Sequence, residues 1–298
     1  FQIVGFIDDD PDLIGKEIGD HKVFGGSECL MERIRIDYIT DLIVAISGKM
    51  QPEMFKVLMD AQEQGVEITR MPQAFEMLFG RVPVNYLEAD WILRSFVDET
   101  RQNQFYIISK RIIDIIGGLV GVGILIVIYP IISALIALES GFPVIFRQTR
   151  AGKGGVDYTI IKFRTMIKDA EKDGVAVTAS ENDTRTTKLG RFLRRSRLDE
   201  WPQFINVLRG DMSLVGPRPE RPELMEDFQK HIPFYRGRLM AKPGISGWAQ
   251  VNFGYASTID EVSKKLEYDL YYIKHRSVLL DIIILLRTIG TIFGLGGR

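Results

Sequence analysis

The chain has 298 residues, enough for two domains of ordinary size, and its single cysteine, Cys29, excludes an internal disulfide framework and indicates a reducing compartment. The formal net charge of −1 hides an asymmetry: residues 1–100 carry 9 Lys/Arg and 19 Asp/Glu, whereas residues 147–218 carry 15 and 9. The second region therefore suits phosphates or anionic lipid, and since no nucleic-acid motif accompanies it, we expect no nucleic-acid partner. Because residue 1 is Phe rather than Met, we also expect a longer natural protein.

The N-terminal third alternates strand and helix patterns. This alternation is typical of a doubly wound α/β domain, so we assign residues 1–95 to a partial Rossmann-like domain. Asp8 or Asp9, at the end of the first strand, is a candidate for holding a ribose hydroxyl, but no glycine-rich phosphate loop precedes it. Ser27 is the predicted cap of the first helix. The predicted strands are a buried one at 1–8, a central parallel one at 41–47 and another at 66–69, and the predicted helices are at 27–35 and 52–64.

An apolar segment follows at residues 112–138. It contains one charged residue, Asp114, and is long enough to cross a bilayer at about 1.5 Å per residue. Pro130 predicts a break, because proline lacks an N–H and clashes with the preceding turn. Cations flank both ends, which places both ends on the cytoplasmic side; they are Lys110, Arg111, Arg147, Arg150 and Lys153. We therefore assign residues 96–140 to a connector and a re-entrant helix–break–helix membrane element.

Residues 141–298 are predicted to form a small mixed α/β domain with interfacial helices. The alternating pattern of residues 157–166 predicts a strand that places Lys162 and Arg164 on one face, where they suit a phosphate. Residues 168–187 are polar and predict a loop.

An arginine-rich stretch runs directly into an acid pair, Asp199 and Glu200. Guanidinium groups at helical spacing match phosphate oxygens two at a time. A carboxylate held among such cations keeps a lowered pKa and stays ionised, ready to act as a nucleophile or a metal ligand. The alternative interpretation is a solvated charged helix with a local ion pair. The cations are Lys188, Arg191, Arg194, Arg195 and Arg197.

Further candidates lie nearer the C-terminus. Lys242 and Gln250 flank a rigid Gly/Pro turn pair and are candidates for phosphate or nucleotide contacts. Residues 277–293 are strongly apolar and predict an amphipathic or interfacial helix or an oligomer contact, so a homodimer is one candidate assembly. The histidines are too scattered to form a transition-metal site or a Ser-His-Asp triad; they are His21, His231 and His275.

Four motifs occur in order over the last two thirds of the chain: KFRTM at 162–166, RRSRLDE at 194–200, GDMSLVGPRP at 210–219 and PGISGWAQVN at 243–252. Together they closely resemble the bacterial sugar transferase family. These are monotopic phosphoglycosyl transferases that begin exopolysaccharide, O-antigen and glycoprotein glycan synthesis on a polyprenyl phosphate carrier.

The resemblance implies a reaction and a site. Asp199 would attack the sugar-bearing phosphate of a UDP-sugar, UMP would leave, and a polyprenyl (undecaprenyl) phosphate would accept the sugar phosphate from the aspartate. Glu200 would bind Mg²⁺ or position the incoming group. The candidate substrate contacts are Arg147, Lys162, Arg164, Arg194, Arg197, Arg218, Lys242 and Gln250.

The resemblance also implies a location and an architecture. The catalytic domain would lie on the cytoplasmic face of the bacterial inner membrane, anchored by the re-entrant helix with its hinge at Pro130. The Rossmann-like domain would serve regulation or assembly rather than catalysis.

Two other function classes remain open. One is a soluble-type nucleotide-sugar enzyme such as an epimerase, against which the missing glycine loop and the membrane segment argue. The other is a non-catalytic membrane scaffold or regulator of polysaccharide assembly, against which the intact Asp199–Glu200 pair argues.

Overall fold

The computed structural model describes residues 2–46, 48–84, 104–168, 170, 184–254 and 258–292. The chain divides into two compact units, residues 1–79 and 80–298. The domain boundary expected at residue 95 and most of the loop predicted over 168–187 lie outside the described residues.

The N-terminal unit is a mixed α/β structure. Strands β3 (Asp41–Val44) and β4 (Glu67–Arg70) pair in parallel, with Leu42 opposite Ile68. Helix α2 (Pro52–Glu63) therefore forms the crossover between them. The helix predicted over 52–64 and the parallel strand that follows it are confirmed. Helices α1 and α2 supply most of a buried core: Leu30, Ile34, Met54, Leu58, Ala61 and Val66. The elements are β1 (Glu17–Ile18), β2 (His21–Lys22), α1 (Ser27–Asp37), β3 (Asp41–Val44), α2 (Pro52–Glu63), β4 (Glu67–Arg70) and α3 (Met71–Phe79).

The buried strand predicted for residues 1–8 is wrong. Phe6 makes only an isolated bridge to Val23, and the side chain of Ile3 is 55% exposed. An apolar strand is buried only where a neighbouring layer covers it, and among the described residues β3 pairs with β4 alone. The described pairings therefore amount to one strand–helix–strand unit rather than a full doubly wound sheet.

Ser27 does not cap α1, contrary to the prediction. The cap position belongs to Gly26, and Ser27 is the first helical residue. The backbone N–H of Ser27 instead donates to Asp9 Oδ1 at 2.6 Å. A carboxylate at this position satisfies a free helix N–H and complements the helix dipole. Asp9, one of the ribose candidates, is thus engaged in holding the helix.

The C-terminal unit is also mixed α/β. Strands β5 (Ile145–Ala151) and β6 (Asp157–Phe163) form an antiparallel hairpin. Strand β7 (Ser213–Val215) pairs in parallel with β8 (Gly244–Ser246). Its helices are α4 (Gln104–Ser140), α5 (Lys188–Arg195), α6 (Gln203–Arg209), α7 (Pro222–His231), α8 (Trp248–Asn252), α9 (Ile259–Lys274) and α10 (Val278–Ile292). Its strands are β5 (Ile145–Ala151), β6 (Asp157–Phe163), β7 (Ser213–Val215) and β8 (Gly244–Ser246), and 3₁₀ turns cover Lys153–Gly155, Leu198–Glu200 and Tyr235–Met240.

Helix α4 is long and apolar enough to cross a membrane by length and composition, and 22% of its most apolar 18-residue window is buried. The sequence predicts that it breaks at Pro130, but the helix continues through this residue to Ser140. A proline inside a helix costs about 3 kcal/mol. Packing on both sides offsets that cost, because Leu125 before the proline and Ile136 after it are buried in one cluster with Phe163.

The polar residues of α4 hold the rest of the unit. Arg111 donates to the carbonyls of Val207 and Leu208 at 2.9 and 2.8 Å, which satisfies the C-terminal end of α6. Asp114 Oδ1 accepts from the Leu214 N–H at 2.9 Å. The sequence treats Arg111 as a marker of membrane orientation and Asp114 as an isolated charge, whereas both are internal contacts.

The main core of this unit lies between α9, β7 and the turn at 235–240. It contains Val207, Met212, Tyr235, Leu266, Leu270 and Tyr272, each at most 2% exposed. Helix α10 has two faces: Asp281 and Ile284 are buried, whereas the opposite face is apolar and exposed, at Leu279, Ile282, Leu286 and Ile289. The amphipathic helix predicted over 277–293 is therefore confirmed as α10, and its interfacial or oligomer role stays a prediction.

Candidate active site

The acid pair lies in a short turn between two helices. Thr187 caps α5, since its Oγ1 accepts the Gly190 N–H at 2.9 Å. The helix ends at Arg195, and Arg197 adopts the left-handed conformation with φ 58°. Left-handed backbone is uncommon for a residue with a Cβ, and here it turns the chain sharply into the 3₁₀ turn Leu198–Glu200. Both carboxylates are thereby turned inward and buried.

Glu200 lies at the centre of a cation cluster, hereafter the Glu200 cluster: Glu200, Lys162, Arg197 and Arg218. Its Oε1 accepts from Lys162 Nζ at 3.0 Å and from Arg218 Nη2 at 2.8 Å. Arg197 Nη1 lies 3.6 Å from Oε2. The Glu200 side chain is only 8% exposed, so the charges act on one another with little screening by solvent.

The electrostatics of the cluster fix the charge of Glu200. Burial alone raises the pKa of this carboxyl, but Arg218, Lys162 and Arg197 outweigh it and hold the pKa well below its usual range. The pKa of the Arg218 guanidinium is raised, chiefly by Glu200. Glu200 is therefore an ionised carboxylate whose Oε1 is occupied by two donors, whereas its Oε2 has Arg197 at 3.6 Å as its neighbour.

Asp199 is buried like Glu200, but it differs from Glu200 in its bonding partners and in the direction of its pKa shift. It is 8% exposed, and within the described part of the chain its carboxylate forms no ion pair or side-chain hydrogen bond. Burial raises its pKa to about 6, and the negative charge of Glu200 adds to this effect. The lowered pKa predicted for a carboxylate among these cations is thus confirmed for Glu200 and wrong for Asp199. An unpaired carboxylate with a raised pKa is more basic and more reactive than a salt-bridged one.

Any reaction that uses Asp199 as a carboxylate should lose rate as the pH falls through about 6, because the protonated form cannot attack. We expect the logarithm of kcat/KM to fall with unit slope below that pH. A pH–rate profile in detergent between pH 4.5 and 8.5 measures this limb. A rate that stays constant down to pH 4.5, as the ordinary aspartate pKa of 3.8 would give, would show that Asp199 is not held in the environment described.

Arg194 lies close to the acid pair but bonds elsewhere. Its Nε donates to Thr165 Oγ1 at 2.9 Å and its Nη1 to Thr186 Oγ1 at 3.2 Å. Its positive charge still lowers the pKa of Asp199, which places the guanidinium near that carboxyl. Arg194 is therefore available to a bound anion beside Asp199.

Arg164 does not join Lys162 at the acid pair, contrary to the prediction that the two cations suit one phosphate. It is the first residue after β6, which ends at Phe163. Arg164 Nη2 instead donates to the Ser140 carbonyl at 2.9 Å and to the Gly141 carbonyl, at the C-terminal end of α4. Its other two nitrogens are buried and have no hydrogen-bond partner among the described residues. Arg164 therefore caps the C-terminal end of α4.

Arg147 also lies apart from Lys162. The hairpin register places Phe146 opposite Lys162, so Phe146 shares the face of Lys162 and Arg147 points to the other face. The structure therefore does not bring Arg147 to the acid pair.

Lys242 and Gln250 occupy other positions in the unit. Lys242 lies beside Gly210 and Arg111, and burial, followed by the charge of Arg111, lowers its pKa. Gln250 donates to the Ile245 carbonyl at 3.1 Å, and its Oε1 is buried with no hydrogen-bond partner in the part of the chain that the structure describes. Neither side chain contacts the Glu200 cluster.

The sequence reasoning missed a second buried ionic group behind Arg218. Arg238 Nη2 donates to Asp269 Oδ2 at 2.8 Å and to the Arg218 carbonyl at 3.0 Å. Glu220 Oε1 accepts from Lys265 at 3.0 Å. These residues are separated along the chain by tens of positions and belong to no short motif, so only the fold brings them together.

A magnesium ion needs few protein ligands when a phosphorylated substrate is present. Mg²⁺ is held by one or two carboxylates together with phosphate oxygens and water. The described residues contain no cluster of three or more His, Cys, Asp and Glu side chains. They do contain the adjacent carboxylates Asp199 and Glu200, and this hard-oxygen pair fits a Mg²⁺ ion carried in with a diphosphate.

The chain matches a known protein family. Residues 105–294 match the family model for bacterial sugar transferases, a span that includes α4, the Glu200 cluster and α10. The chain belongs to the bacterial sugar transferase family. The resemblance carried by the four sequence motifs is thus confirmed.

Several relatives of known name are transferases. A UDP-N-acetylgalactosamine-undecaprenyl-phosphate N-acetylgalactosaminephosphotransferase of Aeromonas hydrophila is 41% identical over 78% of this chain and 54% of its own length. A UDP-glucose:undecaprenyl-phosphate glucose-1-phosphate transferase of Escherichia coli is 47% identical over 56% of this chain and 37% of its own length. One of Xanthomonas campestris with the same name is 31% identical over 91% of this chain. The chain thus spans 54% or less of the first two relatives.

Proposed function

We propose that this chain transfers a sugar-1-phosphate from a UDP-sugar to a membrane polyprenyl phosphate, releasing UMP and giving a polyprenyl-diphospho-sugar. The observation that carries the proposal is the difference between the two carboxylates of the acid pair, of which only Glu200 is paired with cations. Asp199 is an unpaired, weakly exposed carboxylate, and beside it the Glu200 cluster holds cations at fixed positions. The names of the relatives support the two substrates.

The chemistry proceeds in two displacements. An oxygen of Asp199 attacks the phosphorus that bears the sugar, a new P–O bond forms, and the bond to the bridging oxygen breaks, so that UMP leaves with that oxygen. The aspartyl phosphosugar is then attacked by an oxygen of the polyprenyl phosphate. The acyl-phosphate P–O bond breaks, and Asp199 returns to its carboxylate form.

The neighbouring cations hold the diphosphate. Arg218 and Lys162 face the acid pair from two different elements, and Arg194 lies beside Asp199. Fixed cations in a buried site stabilise the charge on a transferring phosphoryl group. Glu200, with phosphate oxygens of the substrate, would hold Mg²⁺, whose role is to neutralise the diphosphate charge.

Both ends of α4 contact the same unit, which favours a re-entrant rather than a spanning helix. At its start Arg111 binds the end of α6, and near its end Glu139 Oε1 accepts the Leu189 N–H at 3.1 Å. A catalytic unit on one side of a membrane can contact both ends only if the helix enters and leaves on that side. We propose that α4 enters and leaves the cytoplasmic leaflet of the bacterial inner membrane on the same side.

The remaining architecture follows the family expectation. We propose a Rossmann-like regulatory or assembly domain over residues 1–95, a connector and membrane helix over 96–140, and the catalytic domain over 141–298. The exposed apolar face of α10 suits membrane lipid or a second copy in a homodimer.

The test is UMP release by the purified chain in detergent with Mg²⁺, polyprenyl phosphate and a panel of UDP-sugars. We expect release with one or a few members of the panel, dependent on the polyprenyl acceptor for turnover beyond one equivalent. A chain that binds polyprenyl phosphate but releases no UMP from any UDP-sugar would support the scaffold alternative instead.

A further inference from the structure

The segment that presents Arg218 is held along its backbone. We call residues 216–220 the Arg218 loop. Four consecutive carbonyls, from Pro217 to Glu220, each accept a hydrogen bond from another element. The donors, in order, are the Gly244 N–H at 2.9 Å, Arg238 Nη2 at 3.0 Å, Arg150 Nη1 at 3.4 Å and the Ala151 N–H at 3.0 Å.

Arg238 is the donor that reaches Arg218 itself. Its side chain is only 4% exposed, and beyond the Arg218 carbonyl it bonds Tyr235 OH at 2.7 Å and Asp269 Oδ2 at 2.8 Å. Three partners on separate segments fix the guanidinium in one orientation. Asp269, on α9, is 2% exposed and so forms a rigid base for it.

Stability alone does not explain a buried arginine at this place. Replacing a buried ion pair with apolar residues of similar volume is often neutral or stabilising. The flanking prolines, Pro217 and Pro219, restrict the backbone angles of the loop. They do not fix where the loop lies relative to α9. The bond from Arg238, itself held by Asp269, fixes the loop at Arg218, and the bond from Lys265 to Glu220 fixes it at its end.

We propose that Arg238, held by Asp269, is a positioning residue that places the Arg218 guanidinium against the acid pair. This inference rests on the proposed function, in which Arg218 binds a substrate phosphate. The guanidinium of Arg218 lies 2.8 Å from Glu200 Oε1. The backbone carbonyl of the same Arg218 accepts the hydrogen bond from Arg238. A displacement of about 1 Å at a reacting group can cost about a hundredfold in rate.

A double-mutant cycle tests the proposal. We expect Arg238→Gln to lower kcat/KM about 10- to 100-fold and Arg218→Ala about 100- to 1000-fold. If Arg238 acts through Arg218, the double variant should match Arg218→Ala alone within about twofold. Losses that multiply would overturn the proposal, because Arg238 would then act independently. Arg236→Gln, an exposed arginine two residues away, is the matched control and should keep full activity.

A second measurement needs no substrate. Hydrogen exchange should accelerate in Arg238→Gln at the amides that hold the Arg218 loop, those of Ala151, Gly216 and Gly244. Unchanged exchange there would overturn the proposal whatever the enzyme does. An inactive wild type with accelerated exchange would count against the proposed transfer alone.

Folding is controlled with a second substitution. Asp269→Asn keeps the size of the side chain and removes the charge that orients Arg238, so we expect the same pattern in a smaller degree. Loss of folded protein in both variants, judged by thermal unfolding, would assign the pair a structural role and overturn the proposal.

Discussion

Replacing Asp199 with asparagine should lower the rate of UMP release by at least about a thousandfold. The amide has the same size and fits the same pocket, but it is a poor nucleophile toward phosphorus. The loss should appear in kcat, since the cations that bind the diphosphate remain in place. Initial rates with the preferred UDP-sugar measure the effect.

The control for this substitution is Asp227→Asn, which removes a carboxylate from the exposed side of α7. It should leave both kcat and KM unchanged. Activity of Asp199→Asn within tenfold of the wild type would contradict covalent catalysis by Asp199.

Replacing Glu200 with glutamine should lower the free energy of unfolding by about 2 kcal/mol, because Lys162 and Arg218 lose the charge that pairs them, and solvent screens their side chains, 19% and 35% exposed, only in part. That corresponds to a fall in the melting temperature of about 4–8 °C. UMP release should fall as well, since Arg218 and Lys162 lose the partner that holds them. Thermal unfolding in detergent, followed by tryptophan fluorescence, measures the shift.

The stability difference should depend on pH with a defined sign. The pKa of Glu200 is lowered in the folded protein, so its contribution is fully present above the ordinary glutamate pKa of 4.5 and is lost as the pH falls through the folded value. The difference in melting temperature between wild type and Glu200→Gln should therefore become smaller only below about pH 4.5. Glu226→Gln, an exposed substitution on α7, should shift the melting temperature little at any pH. An equal shift in that control would contradict the account of the cluster.

Motifs in the sequence identified the centre of the site but not its internal arrangement. Glu200 pairs with Lys162, 38 residues before it, and with Arg218, 18 residues after it, and the shared family motifs select all three. Arg164 and Arg147 lie away from the Glu200 cluster, because Arg164 bonds the end of α4 and the register of the hairpin turns Arg147 to the other face. Neither feature can be read from residue type alone.

The opposite pKa shifts of the acid pair also required the structure. Asp199 and Glu200 are adjacent in sequence and equally surrounded by arginines there. In the fold, the cations bond only Glu200, so burial dominates at Asp199 and charge dominates at Glu200. Sequence order carries no information about which of two neighbouring carboxylates the cations reach.

Elements with strong periodicity were predictable, and those decided by tertiary contacts were not. The α2 helix and the amphipathic α10 follow from spacing of apolar residues. The helix continues through Pro130 because packing on both sides offsets the lost hydrogen bond. Residues 1–8 have strand composition, but in the described structure no neighbouring strand covers them.

The central claim is that Asp199 carries the phosphosugar, and intact-protein mass spectrometry tests it most directly. The chain is mixed with its UDP-sugar and Mg²⁺ without polyprenyl phosphate and then quenched in acid. We predict a mass increase of one sugar phosphate in the wild type, absent in Asp199→Asn and removed by adding polyprenyl phosphate. The same adduct in Asp199→Asn would contradict the claim, as would UMP release by the wild type with no adduct formed.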